Sequence, residues 1–219
     1  MMPRVEAALA LPVEWFVVPG DLDSDEAIVE WCTQTAYDAW RLRADAGVPE
    51  EAVLPGAGER LVVELAGLVA SVREQLDVDG GDHAAVWLPA PEFGVVSAVV
   101  LVQPGPRTGE REISRYADVL LDGTESAATG HAPAFAQRLE SDIPAGPVRG
   151  VHSMLGVLEE STRTVALEER TSYGVFPRDH EEIMIEVLFI AARTAAFEDM
   201  PAETLELLST LQVRVGDAA

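Results

Sequence analysis

The spacing of apolar residues changes period several times along this chain, and each change marks an element. Val13 to Val18 (Val-Glu-Trp-Phe-Val-Val) is β-rich and closes on Pro19-Gly20, which predicts a first strand. The period then lengthens. Ile28, Trp31, Cys32, Thr35, Ala36, Ala39 and Trp40 recur at helical spacing on one face. Asp23 is placed to cap that helix, with Glu26 three residues on, and Gly47 and Pro49 to stop it near Asp45. After a loop with Pro49, Pro55, Gly56 and Gly58, a second helix runs from about Glu59 to Asp77. Its stripe is Leu61, Val62, Leu65, Leu68, Val69, Val72 and Leu76. Fully burying one such side chain contributes roughly 1.5–3 kcal/mol, so the stripe is ample to dock the helix on a sheet.

Beyond an acidic turn at Asp77 to Asp82, two strands follow, His83 to Leu88 and Val95 to Val102. The second is apolar on both sides and so belongs inside a sheet. Pro104 to Gly109 reads as a break and Glu112 to Leu121 as a helix. Asp122 to Pro133 reads as a loop, and Pro133 to Leu139 as a short helix. Two extended runs, Ile143 to Leu158 and Arg163 to Phe176, flank Glu159-Glu160-Ser161-Thr162 and predict a hairpin. In its second arm Thr171, Tyr173 and Val175 share one face. A turn at Pro177 to His180 leads to a strand over Ile183 to Ile190. A connection over Ala192 to Met200 precedes a helix from Pro201 to about Ser209, and Thr210 to Val215 predicts a last edge strand.

Strands therefore come in clusters and do not alternate strictly with helices. The fold class is α+β, a mostly antiparallel sheet with helices packed on its faces. Residues 1–219 read as a single domain, the best internal boundary being 122–133.

Composition narrows the chemistry. The chain holds 15 basic and 38 acidic residues, a formal net charge of -23, and every basic residue is Arg. Such a field repels phosphate backbones and anionic membrane surfaces, so no nucleic-acid or membrane partner is expected. Without Lys there is no Walker-type phosphate loop and no Schiff base. The single cysteine, Cys32, excludes an internal disulfide and a Cys-rich zinc site, in keeping with a reducing compartment. Arg4 and Ala8-Leu9-Ala10 mimic a signal cleavage site, but the apolar run before them is too short. A soluble, cytoplasmic protein is expected.

Few side chains group into recognisable machinery. Gly56-Ala57-Gly58-Glu59-Arg60-Leu61 starts like a dinucleotide loop, yet no strand precedes it and Glu59 would face the pyrophosphate. His83, His131, His152 and His180 form no paired-histidine motif, and no Gly-x-Ser-x-Gly elbow occurs. Cys32 lies on an apolar helix face, where thiols are inert. No catalytic, cofactor or metal-binding residue is assigned. Three residues remain as possible contacts for a ligand or partner. Arg149 starts a strand in a chain with few cations; His152 lies on the same strand; Tyr173 sits on the next.

Four stretches are familiar: Ile143-Pro144-Ala145-Gly146-Pro147-Val148-Arg149, Tyr173-Gly174-Val175-Phe176-Pro177, the strand Met184 to Phe189, and Leu11-Pro12-Val13-Glu14-Trp15-Phe16. Together they resemble a group of actinobacterial proteins and, more distantly, the Mog1/PsbP-like α/β/α sandwich. The resemblance covers the first strand and about the last third of the chain. It implies an antiparallel sheet with helices on its faces and a role in binding or assembly, with no shared catalytic residues. The long helical pair from Asp23 to Asp77 departs from a minimal version of that fold.

The reading that follows is a non-enzymatic acidic protein for binding or assembly, or an immunity-like protein, that takes a basic protein partner. One alternative is a small-molecule enzyme with a cleft near Arg149, His152 and Tyr173. Another is a secretion-system chaperone.

Overall fold

A computed structural model describes residues 5–73, 75–76, 82–107, 110–124, 131–159, 164–191, 193 and 195–216. Seven strands form one antiparallel sheet in the order β2-β3-β4-β8-β7-β6-β5. They are β2 (Trp15–Val18), β3 (His83–Trp87), β4 (Ala98–Pro106), β5 (His131–Ile143), β6 (Gly146–Glu159), β7 (Thr164–Val175) and β8 (Ile183–Ala191). A separate ribbon pairs β1 (Val5–Ala8) with β9 (Gln212–Val215). The helices are α1 (Asp25–Asp45), α2 (Ala57–Arg73), α3 (Glu110–Thr124) and α4 (Met200–Leu208). The fold is thus α+β, with helices packed against an antiparallel sheet.

Alternation along the strands separates two cores. Val99, Leu101 and Leu188 turn toward α1 and α2, where they meet Ile28, Cys32, Leu61, Leu65 and Val69. On the same face of β8, Met184 packs with Tyr116 of α3, and the Tyr116 hydroxyl lies 2.8 Å from Glu186 Oε1. The intervening residues Val100, Val187 and Phe189 turn the other way, toward α4 and the β1–β9 ribbon, with Val5, Met200 and Leu208. Gly174 lets Tyr116 lie close on the sheet, because a Cβ there would stand 2.9 Å from the Tyr116 ring and push it away.

The first helix ends where expected, at Asp45, although its cap is Ser24 and not Asp23: the Ser24 hydroxyl accepts from the Ala27 N–H at 3.2 Å. The second spans Ala57–Arg73 and so stops short of the expected Asp77. The far end of α1 is fastened to the turn Pro91–Phe93. Arg43 grips Glu92 with both Nε (3.3 Å) and Nη2 (2.7 Å). The Leu54 N–H also donates to the Glu92 carbonyl at 3.0 Å. Gly94 has a φ of +71°, and a Cβ there would come 2.5 Å from the Ala57 carbonyl, so only glycine lets this turn close on α2.

Further expectations need correction. Pro133 to Leu139 is part of β5 and not a helix. Its Ala, Gln, Arg and Leu favour a helix locally, but the tight Pro144-Ala145 turn folds the segment back onto β6, from Ile143↔Gly146 to Phe135↔Met154. The expected loop over 122–133 shrinks accordingly: α3 reaches Thr124, β5 begins at His131, and 125–130 lie outside the described residues. The break at Pro104 to Gly109 is absent as far as Pro106. The β3 pairing stops at His83↔Val102, so Pro104 and Pro106 need no N–H on that side while β8 pairs the other. The last strand joins β1, a strand that sequence patterning passed over, and not the main sheet. β6 and β7 form the expected hairpin, except that its first arm begins at Gly146, because Ile143 closes β5 and Pro144-Ala145 is the turn between them. The hairpin's own turn at 160–163, and 77–81 of the acidic turn, lie outside the described residues. Among the described residues, no helix is long and apolar enough to cross a membrane.

Candidate functional site

The face that carries α4 is lined with rings. Trp15 and Trp87 are cross-strand partners on β2 and β3, stacked with centroids 5.8 Å apart and planes 11° from parallel. Phe197, in the connection to α4, stacks on Trp87 at 4.8 Å. On the other side Phe189 meets Trp15 edge-on at 6.2 Å, and Tyr173 meets Phe189 at 6.4 Å. The rings therefore run across the sheet from Phe197 to Tyr173. Aromatic pairs in these geometries contribute about 0.5–1.5 kcal/mol each beyond the area they bury.

The inner end of this row is sealed. The Tyr173 hydroxyl lies 2.9 Å from Thr204 Oγ1 and donates to the Pro201 carbonyl at 3.2 Å. Thr204 also stands 3.1 Å from Thr171 Oγ1, and its hydroxyl donates to the Met200 carbonyl at 2.5 Å. Burial pushes the Tyr173 phenol above its ordinary pKa, against the opposing hydrogen bonds from Thr204 and Thr171.

The outer end is open. Trp15, Trp87, Phe197, Pro12 and Leu207 line a pocket of about 490 Å³, and Glu14, Glu203 and Glu206 stand on its wall. Glu203 is held in place because its Oε1 accepts from the N–H groups of Glu198 (2.7 Å) and Asp199 (2.9 Å). Asp199 in turn accepts from the Ala202 N–H at 3.1 Å, completing a reciprocal cap on α4. An aromatic wall with carboxylates beside it attracts organic cations, since ring faces and carboxylates both favour positive charge.

A wider cleft, about 1070 Å³, opens over Leu54, Val63, Phe93 and Val95. Its Arg60 is committed to loop carbonyls, donating to Pro55 O at 2.7 Å and Phe93 O at 3.5 Å. Burial raises the pKa of Glu64 there, against a hydrogen bond from the Val96 backbone and the charge of Arg193. The aromatic pocket is the more specific of the two, because its charged groups share one sign and stacked rings form its wall.

The three residues singled out in the sequence are not brought together. Tyr173 is fully buried beneath α4. His152 lies on the same face of the sheet, its Nε2 2.9 Å from Glu169 Oε1 and its ring edge-on to Phe135 at 5.5 Å. Arg149 projects from the opposite face, as the pairings Arg149↔Gly174 and Gly150↔Tyr173 require. Its guanidinium donates to the Val148 carbonyl at 2.8 Å and lies 3.8 Å from Glu140. Sequence reading missed the Trp15–Trp87 pair, because its signal was the pairing register and not any local motif. Among the described residues, no group of three or more His, Cys, Asp or Glu is arranged to hold a metal ion.

No protein-family model and no curated protein matches this chain. Among solved structures, a crystal structure of a protein from Bacteroides thetaiotaomicron VPI-5482 is similar at 12% identity with a TM-score of 0.32. The match covers 61% of this chain and 39% of that one.

Proposed function

We propose that this is a cytoplasmic binding or assembly protein, of the Mog1/PsbP-like kind, that engages a basic protein partner. The α4-side pocket receives a cationic side chain of that partner. One observation carries the reading: the ring wall of Trp15, Trp87 and Phe197 stands beside three carboxylates in a chain of net charge -23. The long-range field draws a basic surface in, and the pocket then sorts its side chains by shape. An Arg or Lys head over a Trp face gains about 0.5–2 kcal/mol, so affinity must come from several contacts on one partner.

Titration with an Arg-rich peptide, beside an acidic peptide of equal length, tests this. The basic peptide binds, and its affinity falls as salt rises because screening shortens the reach of the field. Trp87→Leu and Glu206→Arg each weaken binding by about tenfold, a change of about 1.4 kcal/mol. Equal binding of both peptides, or indifference to both substitutions, contradicts the proposal.

A further inference from the structure

The two edges of the seven-stranded sheet differ in length. At one edge β2 has 4 residues; at the other β5 has 13. Short edges are a common protection against strand addition, and a long one offers a template for it. Among the described strands β5 pairs on one side only, with β6. Residues 134–138 are all exposed, and Phe135 keeps 43% of its surface in solvent.

The phase of the ladder fixes which groups face outward. The Phe176 N–H donates to the Pro147 carbonyl at 3.0 Å, so odd-numbered β6 residues bond toward β7. Even-numbered β6 residues therefore bond toward β5, where they face the odd-numbered residues from Phe135 to Ile143. The turn agrees: Ile143↔Gly146 closes across just Pro144-Ala145, which leaves only a directly bonded pair at that position. It follows that Ala136, Arg138, Glu140 and Asp142 aim their N–H and C=O groups out of the sheet.

We infer that a second copy of this chain pairs with that edge, β5 against β5, about a two-fold axis through Leu139. Antiparallel pairing of the outward groups joins even-numbered residues to even-numbered residues. Centring the axis on residue 138 sets Arg138 against Arg138 of the other copy, and centring it on 140 does the same with Glu140. Centring it on Leu139 sets Arg138 opposite Glu140 twice over. Opposite charges directly across a strand pair stabilise it and like charges destabilise it, so one register is selected. Arg138 and Glu140 keep 57% and 68% of their side chains exposed, and each already has a neighbour of opposite charge, in Asp118 and Arg149. The pairing thus extends an alternating row of charges on the α3 face. On the other face it places the exposed Phe135 opposite Ile143 of the second copy. The sheet becomes continuous through the dimer, with the α4-side pockets at its two far ends.

Light scattering and native mass spectrometry on the full chain read the outcome directly. The wild type is a dimer in the micromolar range. Arg138→Glu and Glu140→Arg each set like charges across both pairs and weaken the dimer by about tenfold or more. Mixing the two single variants restores opposite signs at every pair, so a heterodimer forms where neither variant self-associates. The double variant Arg138→Glu/Glu140→Arg dimerises like the wild type. Far-ultraviolet circular dichroism separates misfolding from loss of pairing, and Glu140 is exposed enough for its variant to fold. A monomeric wild type overturns the inference, and so does a dimer indifferent to both reversals or a mixture that stays monomeric.

Discussion

The two faces of this one sheet solve the problem of burial differently. Toward α1 and α2 the contacts are almost wholly aliphatic: Leu61, Leu65, Val69, Val86 and Val96 show no exposed surface. Toward α4 the same sheet presents Trp15, Tyr173 and Phe189, which meet Phe197 from the connection to α4, and Thr171 joins Thr204 of α4 in a hydroxyl network. Branched aliphatic chains fill space without directional demands and pack closely, leaving a cavity of about 340 Å³ beside Leu68, Val72 and Leu188. Rings are rigid and stack in few geometries, and each buried hydroxyl requires a partner. The second face is therefore organised but not sealed, and its unsealed end is the pocket. A difference in side-chain chemistry across the thickness of one sheet separates a largely aliphatic half of the molecule from a half lined with rings, where the proposed binding pocket lies.

Breaking the aliphatic face has the largest consequence. Leu65→Ala leaves a cavity between α2 and the sheet and destabilises the protein by about 2–5 kcal/mol, read from denaturant unfolding. Peptide affinity at the α4 pocket stays near wild type while the chain remains folded. Next in size is the buried carboxylate that fastens α1. Burial raises the pKa of Glu92, but the hydrogen bonds and charge of Arg43 outweigh it and hold it below the ordinary 4.5. A depressed carboxylate stabilises the fold at pH values above 4.5, and that contribution disappears as pH falls through the lowered value. Glu92→Gln thus costs about 2 kcal/mol at neutral pH and flattens the acid limb of the stability curve. Unfolding measured from pH 3 to pH 7 checks both.

How far the sequence revealed this division depends on the range of each signal. The stripes of α1 and α2 were legible because residues three and four apart meet on one face. Thr171, Tyr173 and Val175 were assigned to one face correctly, because strand alternation is equally local. The Trp15–Trp87 stack was not legible: the partners lie on strands separated by two helices, and only the register joins them. β5 was misread for the converse reason, since its composition favours a helix and its strand state comes from pairing with β6. The separation of Arg149 from His152 and Tyr173 was implicit in their odd and even positions once both strands were known.

Two smaller effects sharpen the contrast. Thr204→Val removes the group that ties Tyr173 and Thr171 to α4, costing about 1–3 kcal/mol with the ring row intact. Its signature is a Tyr173 phenol that titrates differently in ultraviolet difference spectra, beside near-normal peptide binding. The smallest effect concerns Cys32 on the aliphatic face. Burial pushes its thiol up to about 11, so native protein at pH 8 reacts with a thiol reagent far more slowly than unfolded protein. Fast labelling of the native chain shows that this face opens.

The four tryptophans offer the most direct measurement, because they divide evenly between the faces. Trp15 and Trp87 belong to the ring row, while Trp31 packs on the α1–α2 core and Trp40 lines the outer groove between those helices. Nuclear magnetic resonance of the four indole N–H groups, during titration with an Arg-rich peptide, reads each face separately. The Trp15 and Trp87 signals shift and saturate together while those of Trp31 and Trp40 hold still. Shifts confined to Trp31 and Trp40, or no saturable shift at Trp15 and Trp87, contradict the assignment of recognition to the α4 face.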